Sequence, residues 1–149
     1  MPEFDYTGPY RYFVTITTHQ EMPIFLGEDN VSGAVLALSE VAGRYGFDVL
    51  CYCFMPEHVH FLVEGHEGSD LRKFVRTYKQ VSSFRYKTIH GYPMWQRGYY
   101  DHVLRRDEVV PVVARYILNN PLRRGLSDDA AAYGRSGSFV CPIAEILRG

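Results

Sequence analysis

The patterned segments of this 149-residue chain run strand, helix, strand, strand, helix, strand, helix. That order predicts an α+β protein with the ferredoxin-like βαββαβ sandwich: an antiparallel sheet, helices packed on one face, and one further C-terminal helix. Three observations carry the prediction. The chain opens on an aromatic and β-branched run. Two apolar runs flank a Pro-Glu turn in the middle. Amphipathic segments of helical period stand on either side of that hairpin.

Residues 10–18 (YRYFVTITT) have strand composition. Residues 20–30 contain Pro23 and Gly27 and read as a loop. Val31, Val35, Leu38, Val41 and Ala42 recur at helical spacing, and Gly46 supplies a stop. Residues 47–55 are almost continuously apolar and read as a buried strand. Pro56 and Glu57 form the turn, and residues 58–64 the returning strand. Ser69 is a candidate cap for a helix whose apolar positions are Leu71, Phe74, Val75, Tyr78 and Val81. Residues 90–93 form a loop and residues 99–104 a short last strand. Asp107 can cap a helix through Asn119, with Pro111 in its first turn and Pro121 as its stop. Residues 127–149 are weakly patterned, with a short helix expected at 142–148. There are no repeats, and the whole chain reads as one domain; a chain this long buries roughly two-thirds of its unfolded surface.

Composition narrows the function classes. Hydrophobic residues make up 46% and aromatics 15%, too apolar for a disordered chain. No apolar run approaches the ~18 residues of a membrane span. Residues 1–10 hold Glu3 and Asp5 and no cation, so no secretory signal is expected and the chain is assigned to the cytoplasm. Three cysteines, Cys51, Cys53 and Cys141, give an odd count without framework spacing, which fits a reducing compartment. The net charge of −1 conceals a division. Residues 1–70 carry eleven acidic and two basic residues; residues 71–124 carry twelve basic and three acidic. A basic half is the footprint expected for phosphate. It is equally compatible with two solvated faces that pair with each other.

Three groups of residues can carry chemistry. His58 and His60 stand two apart on a strand and so share a face, an arrangement suited to gripping one metal ion or to a surface pair. Tyr116 and Asn120 stand four apart near the end of the last helix, among Arg115, Arg123 and Arg124. A tyrosine there is ordinarily a packing residue. It is also a nucleophile whose phenol, of pKa near 10, leaves well enough for a phosphotyrosine bond to be reversed. Trp95, Arg97, Tyr99, Tyr100 and His102 interleave aromatics with cations, which suits base stacking and phosphate contact as well as an ordinary loop–strand junction. The outer faces of the second helix add Arg72, Lys73, Arg76 and Lys79 as candidate phosphate contacts.

Taken in order, these segments resemble a known family. Phe54-Met55-Pro56-Glu57-His58-Val59-His60-Phe61-Leu62-Val63 is similar to the histidine–hydrophobe–histidine (HUH) motif of single-tyrosine transposases of the insertion-sequence-200 type. Trp95-Gln96 through His102, with Arg115-Tyr116-Ile117-Leu118-Asn119-Asn120-Pro121-Leu122-Arg123-Arg124-Gly125-Leu126, resembles their branch associated with repetitive extragenic palindromes (REP). The strand from Tyr12 to Thr15 and Phe25 fit the same pattern, and the likeness covers residues 10–126.

The resemblance implies a nucleoid-associated DNA transposase that nicks and rejoins single-stranded DNA beside hairpins. Tyr116 would be the catalytic nucleophile, giving a 5′-phosphotyrosine. His58, His60 and Asn120 would bind a divalent metal ion, Mg2+ or Mn2+. Monomers and homodimers both occur in such families. The chain departs from the pattern in its acidic first 70 residues and in Gln20-Glu21, where relatives often carry arginine. Other readings are a domesticated hairpin-binding module, a histidine-metal phosphoesterase using water, and an RNA-binding module with Tyr12 and Phe61 on an open sheet.

Overall fold

The computed structural model describes residues 4–105 and 109–148. Strands β1 (Arg11–Thr17), β2 (Phe47–Met55), β3 (His58–Gly65), β4 (Tyr100–Leu104) and the two-residue β5 (Ser136–Gly137) form one sheet in the order β4-β1-β3-β2-β5. All its pairings are antiparallel. Helices α1 (Glu28–Tyr45) and α2 (Leu71–His90) complete the expected ferredoxin-like sandwich. Helices α3 (Val110–Leu118), α4 (Asn120–Arg123) and α5 (Ile143–Arg148) follow.

Period-two alternation divides the sheet into two faces. On one face Tyr12, Val14 and Ile16 of β1 and Val59, Phe61 and Val63 of β3 pack with Val31, Leu38 and Val41 of α1 and Leu71, Phe74 and Tyr78 of α2. On the other face a smaller core joins Leu62 and Leu104 to Cys51, Cys53 and Met55, under Ala114, Ile117 and Leu118 of α3. The expectation of helices on a single face therefore holds for α1 and α2 alone. The apolar side of α3 needs its own cover and finds it on the opposite face, where α5 also packs against it.

One irregularity makes that second core possible. The β2–β3 register shifts between Val49 and Cys51, leaving Leu50 as the extra residue of a bulge. Before it, Phe47 and Val49 face α1 and α2. After it, Cys51, Cys53 and Met55 face α3. A bulge is invisible in a continuous apolar run, so the strand was legible and its change of face was not.

Several local expectations shift. Asp70 rather than Ser69 caps α2, its side chain accepting from the Lys73 amide at 3.3 Å. The Ser69 hydroxyl donates instead to the Gly46 carbonyl at 2.7 Å, tying the end of α1 to the start of α2. Gly46 ends α1 in the left-handed conformation, φ 75°, as its position predicted. Asp107 as a cap lies outside the described residues. α3 ends at Leu118, one residue short of the expected Asn119, and Pro121 belongs to a new short helix. The proline sits in the first turn of α4, where no amide is needed. In the tail, β5 extends the sheet beyond β2 at Tyr52 and Cys53, and α5 falls where a short helix was expected.

Trp95 is core, not surface. It is 4% exposed, lies against Phe25 and Tyr78, and donates its indole N–H to Ser82 Oγ at 2.8 Å. The expectation that it stacks on bases is corrected by this burial. Tyr12 and Phe61 are likewise fully buried, which removes the open aromatic sheet that an RNA-binding module needs. Trp95→Ala is expected to lower unfolding stability by about 3–5 kcal/mol, read from urea denaturation; a loss under about 1 kcal/mol would show that the site relaxes around the cavity.

Candidate functional site

β3 starts immediately after the Pro56–Glu57 turn, so its first side chains lie at one end of the sheet. His58 pairs across to Thr17 and Met55, and His60 to Thr15 and Cys53. Both imidazoles therefore project from the face that α3 covers only in part. Their Nε2 atoms face each other at 2.9 Å. Each Nδ1 is held from behind: His58 Nδ1 lies 2.9 Å from Glu57 Oε1, and His60 Nδ1 lies 2.8 Å from Thr15 Oγ1.

These contacts fix the proton on His58 and leave two arrangements for His60. A carboxylate only accepts, so His58 carries its proton on Nδ1 and points a lone pair from Nε2. A hydroxyl both donates and accepts. Thr15 can therefore donate to His60 Nδ1 while His60 Nε2–H donates to His58. It can equally accept from Nδ1–H, which frees the second lone pair. Burial holds His58 below its ordinary range and pushes His60 down to about 3, with the charges of His58 and Arg123 acting in the same direction. Both rings are thus neutral at neutral pH, the form in which imidazole binds metals.

The arrangement fits a divalent cation. Two nitrogens bound at about 2.1 Å and at right angles to each other stand about 3 Å apart, close to the observed separation. Ring nitrogens turned away from the ion and fixed by carboxylate or hydroxyl are the usual support of such ligands. The two imidazoles are incomplete by themselves: among the described residues no cluster of three or more His, Cys, Asp or Glu side chains forms. Asn120, the candidate third donor, heads α4 and is 9% exposed.

The α3–α4 corner meets the pair through two arginines. The Tyr116 ring is half exposed and stands edge-on to Phe13 at 6.3 Å, and Phe13 stands edge-on to His60 at 5.4 Å. The Arg123 guanidinium covers the Tyr116 ring at 3.9 Å and donates to the Tyr116 carbonyl at 2.7 Å. Arg124 donates to both Glu57 oxygens, at 2.7 and 3.4 Å. The Glu57 carboxyl is held below its usual range, first by its bond to Arg124. A continuous polar chain thus runs Arg124–Glu57–His58–His60–Thr15 and ties the end of α4 to the imidazole pair.

Comparison with known proteins gives this geometry its setting. Residues 10–120 match the profile of the family described as "Transposase IS200 like". The chain belongs to that transposase family. It is therefore a DNA transposase by descent, with a REP-associated relative. That relative, a Haemophilus influenzae protein classed among REP-associated tyrosine transposases, is 25% identical over 134 residues, covering 81% of this chain and 75% of its own. A second, uncharacterised protein of the same organism is 26% identical over 94 residues, 48% of this chain and 52% of that protein. The structure of a REP-associated tyrosine transposase bound to a REP hairpin superposes with a TM-score of 0.72 at 21% identity, over 88% of this chain and 79% of that one. A Deinococcus radiodurans transposase crystal structure gives 0.57 at 18% identity, over 78% and 94%. At these identities the two structures establish a shared fold.

The transposase fold gathers some of the candidate residues and separates others. His58, His60, Tyr116, Arg123 and Arg124 form one cluster, with Asn120 on the adjoining helix. Arg115 is half-buried on α3. His102 is exposed on β4 and pairs with Phe13, so it shares the site face; Tyr100, 77% exposed and paired with Thr15, joins it there. Arg72, Lys73 and Arg76 are exposed on α2, on the other side of the sheet. Lys79 is held in place by donating to the Gln96 and Gly98 carbonyls at 2.9 and 2.8 Å, with its third N–H uncommitted. Sequence reasoning missed Thr15, Phe13 and Glu57 as neighbours of the imidazole pair, whereas Tyr100 was among its interleaved aromatics. The only available signal was alternation, since Phe13 and Thr15 share parity on β1. Among the described residues no helix is long and apolar enough to cross a membrane.

Thr15→Val is expected to lower affinity for Mn2+, measured calorimetrically, by about 10–100-fold, because His60 Nδ1 loses its partner. Glu57→Gln should lower Mn2+ affinity in the same way through His58. Arg124→Gln, which breaks a largely exposed pair, should cost under about 1 kcal/mol of stability in thermal unfolding.

Proposed function

We propose that this transposase cuts and rejoins single-stranded DNA beside hairpins through a covalent bond to Tyr116. His58, His60 and Asn120 would hold one divalent ion, Mg2+ or Mn2+. The observation that carries the reading is the placement of Tyr116 over Phe13, beside the imidazole pair of its own chain. A bound ion would polarise the scissile phosphate and offset charge gathering on its oxygens. The imidazoles alone would favour Zn2+ or Mn2+, whereas an amide oxygen from Asn120 suits Mg2+ as well, so the mixed donor set does not choose the ion.

The residues then have distinct tasks. Tyr116 Oη attacks phosphorus in line, loses its phenolic proton to water, and forms the 5′-phosphotyrosine bond as the P–O3′ bond breaks. The departing oxygen takes up a proton and becomes a 3′-OH. A second 3′-OH reverses the step, displacing the phenol, so rejoining needs no external energy. Arg123 fixes the Tyr116 ring and places positive charge where the phosphate arrives. Glu57 and Thr15 keep the imidazoles aimed. One chain holds the whole set, which supports a monomeric active unit. The hairpin as partner is supported by the REP-hairpin complex of the structural relative. Action on DNA supports a nucleoid location in the cytoplasm.

The test is a denaturing gel of protein incubated with single-stranded oligonucleotides bearing imperfect palindromes and Mn2+. A protein–DNA adduct is expected, lost in EDTA and in Tyr116→Phe, while Tyr116→Phe still binds the oligonucleotide. An adduct in Tyr116→Phe would refute the assignment; cleavage without an adduct would indicate water as the nucleophile. Binding should also weaken with salt. Four arginine–phosphate contacts give a log–log slope of magnitude about 3, and a flat response would remove Arg97, Arg115, Arg123 and Arg124 from the DNA surface.

A further inference from the structure

The C-terminal half of α2 and the segment 93–98 enclose an open groove of about 470 Å3. Lys79, Ser83, Phe84, Lys87, Gln96 and Arg97 line it, and no acidic residue does. Phe84 is 75% exposed. A single exposed aromatic is ordinary, but this one stands among cations on a rigid frame. The Met94 amide donates to Ser83 Oγ at 2.9 Å, the Trp95 indole to Ser82, and Lys79 to the Gln96 and Gly98 carbonyls. The Gln96 amide donates to the Thr17 carbonyl at 3.0 Å, fastening the same segment to β1. The groove therefore needs no rearrangement to receive a ligand.

Its chemistry and position agree. Lys79 is fixed on two neutral carbonyls and keeps its charge, while Lys87 and Arg97 are exposed and have no ion-pair partner among the described residues. The larger groove between α1 and α2 carries Asp29 and Glu40 and lacks this bias. Thr17, to which the groove wall is bound, pairs with His58. Segment 96–98 thus turns the corner of the sheet at the imidazole end and leads into Tyr100 on the site face. An apolar ring beside uncompensated cations matches a chain of bases joined by phosphates.

We infer that this groove seats one or two unpaired nucleotides of the substrate strand, a base stacking on Phe84 and the flanking phosphates meeting Lys87 and Arg97. The inference rests on the reading of single-stranded DNA as substrate. The probes are a fluorescent oligothymidine with no hairpin and a blunt hairpin with no single-stranded extension. Phe84→Ala is expected to raise Kd for oligothymidine about tenfold, and Phe84→Tyr to restore it. Arg97→Gln should weaken oligothymidine and flatten its salt dependence. Phe84→Ala should leave the blunt hairpin within about twofold. Oligothymidine carrying 5-iododeoxyuridine should photocrosslink to the α2 peptide containing residue 84.

Unchanged oligothymidine affinity in Phe84→Ala, equal losses for both probes, or crosslinks confined to other peptides would overturn the inference. So would a loss of self-association in sedimentation without any change in oligothymidine binding, which would mark the groove as a protein contact. Equal Tm and an equal Mn2+-induced thermal shift for Phe84→Ala and the parent exclude misfolding. Adduct formation separates the two readings. An adduct together with Phe84-independent binding sinks only the groove. Phe84-dependent binding without an adduct sinks only the tyrosine chemistry.

Discussion

The alternation of β3 is the constraint on which the rest depends. His58, His60 and Leu62 project to one side of the sheet, and Val59, Phe61 and Val63 to the other. Hydrogen bonding to β1 on one side and β2 on the other fixes this phase. A one-residue slip would carry two imidazoles into the core and three large apolar side chains out of it, at a cost of several kcal/mol in lost burial alone. The core under α1 and α2 therefore sets the register that places the imidazoles on the opposite face. The bulge at Leu50 does complementary work, turning the second half of β2 so that its thiols and Met55 meet α3.

The site depends on two kinds of support of unequal strength. Beneath it lie Cys51 and Cys53, fully buried, with thiols pushed up to about 12 by that burial, so they act as packing groups and not as ligands or nucleophiles. Above it the polar chain from Arg124 to Thr15 is partly open to solvent. An ion pair of that exposure adds little to stability. Its value lies in direction: it fixes which nitrogen of His58 carries the proton and joins the turn before β3 to the end of α4. Packing holds the sheet, and hydrogen bonding aims the groups on it.

Much of this was readable from the residues. The seven main elements, the hairpin and the shared face of His58 and His60 follow from period and turn chemistry, because those signals are local. Tyr116 and Asn120 were singled out four apart among arginines, with roles implied by the resemblance; the helix breaks between them. What the sequence hid was set by distant contacts. Trp95 looks like a stacking residue until Ser82, Phe25 and Tyr78 enclose it. Lys79 shows no sign in the sequence of the two carbonyls that fix its ammonium. Thr15 and Glu57 carry no motif of their own, and only the ladder and the turn bring them behind the imidazoles. The placement of α3 on the second face could not be read because the bulge that prepares its seat leaves no mark in a continuous apolar run.

The tail strand β5 has a consequence for how copies of this molecule can meet. Ser136 and Gly137 lie alongside β2, where a side chain at 137 would collide with the Tyr52 hydroxyl, and they close that border of the sheet. The open border is β4, five residues long, with Tyr100 and His102 outward on the same side as the imidazoles. Backbone pairing between two copies would thus take place beside the imidazole face, and on the proposed reading it would compete there with a bound strand. The shortness of β4 disfavours such pairing.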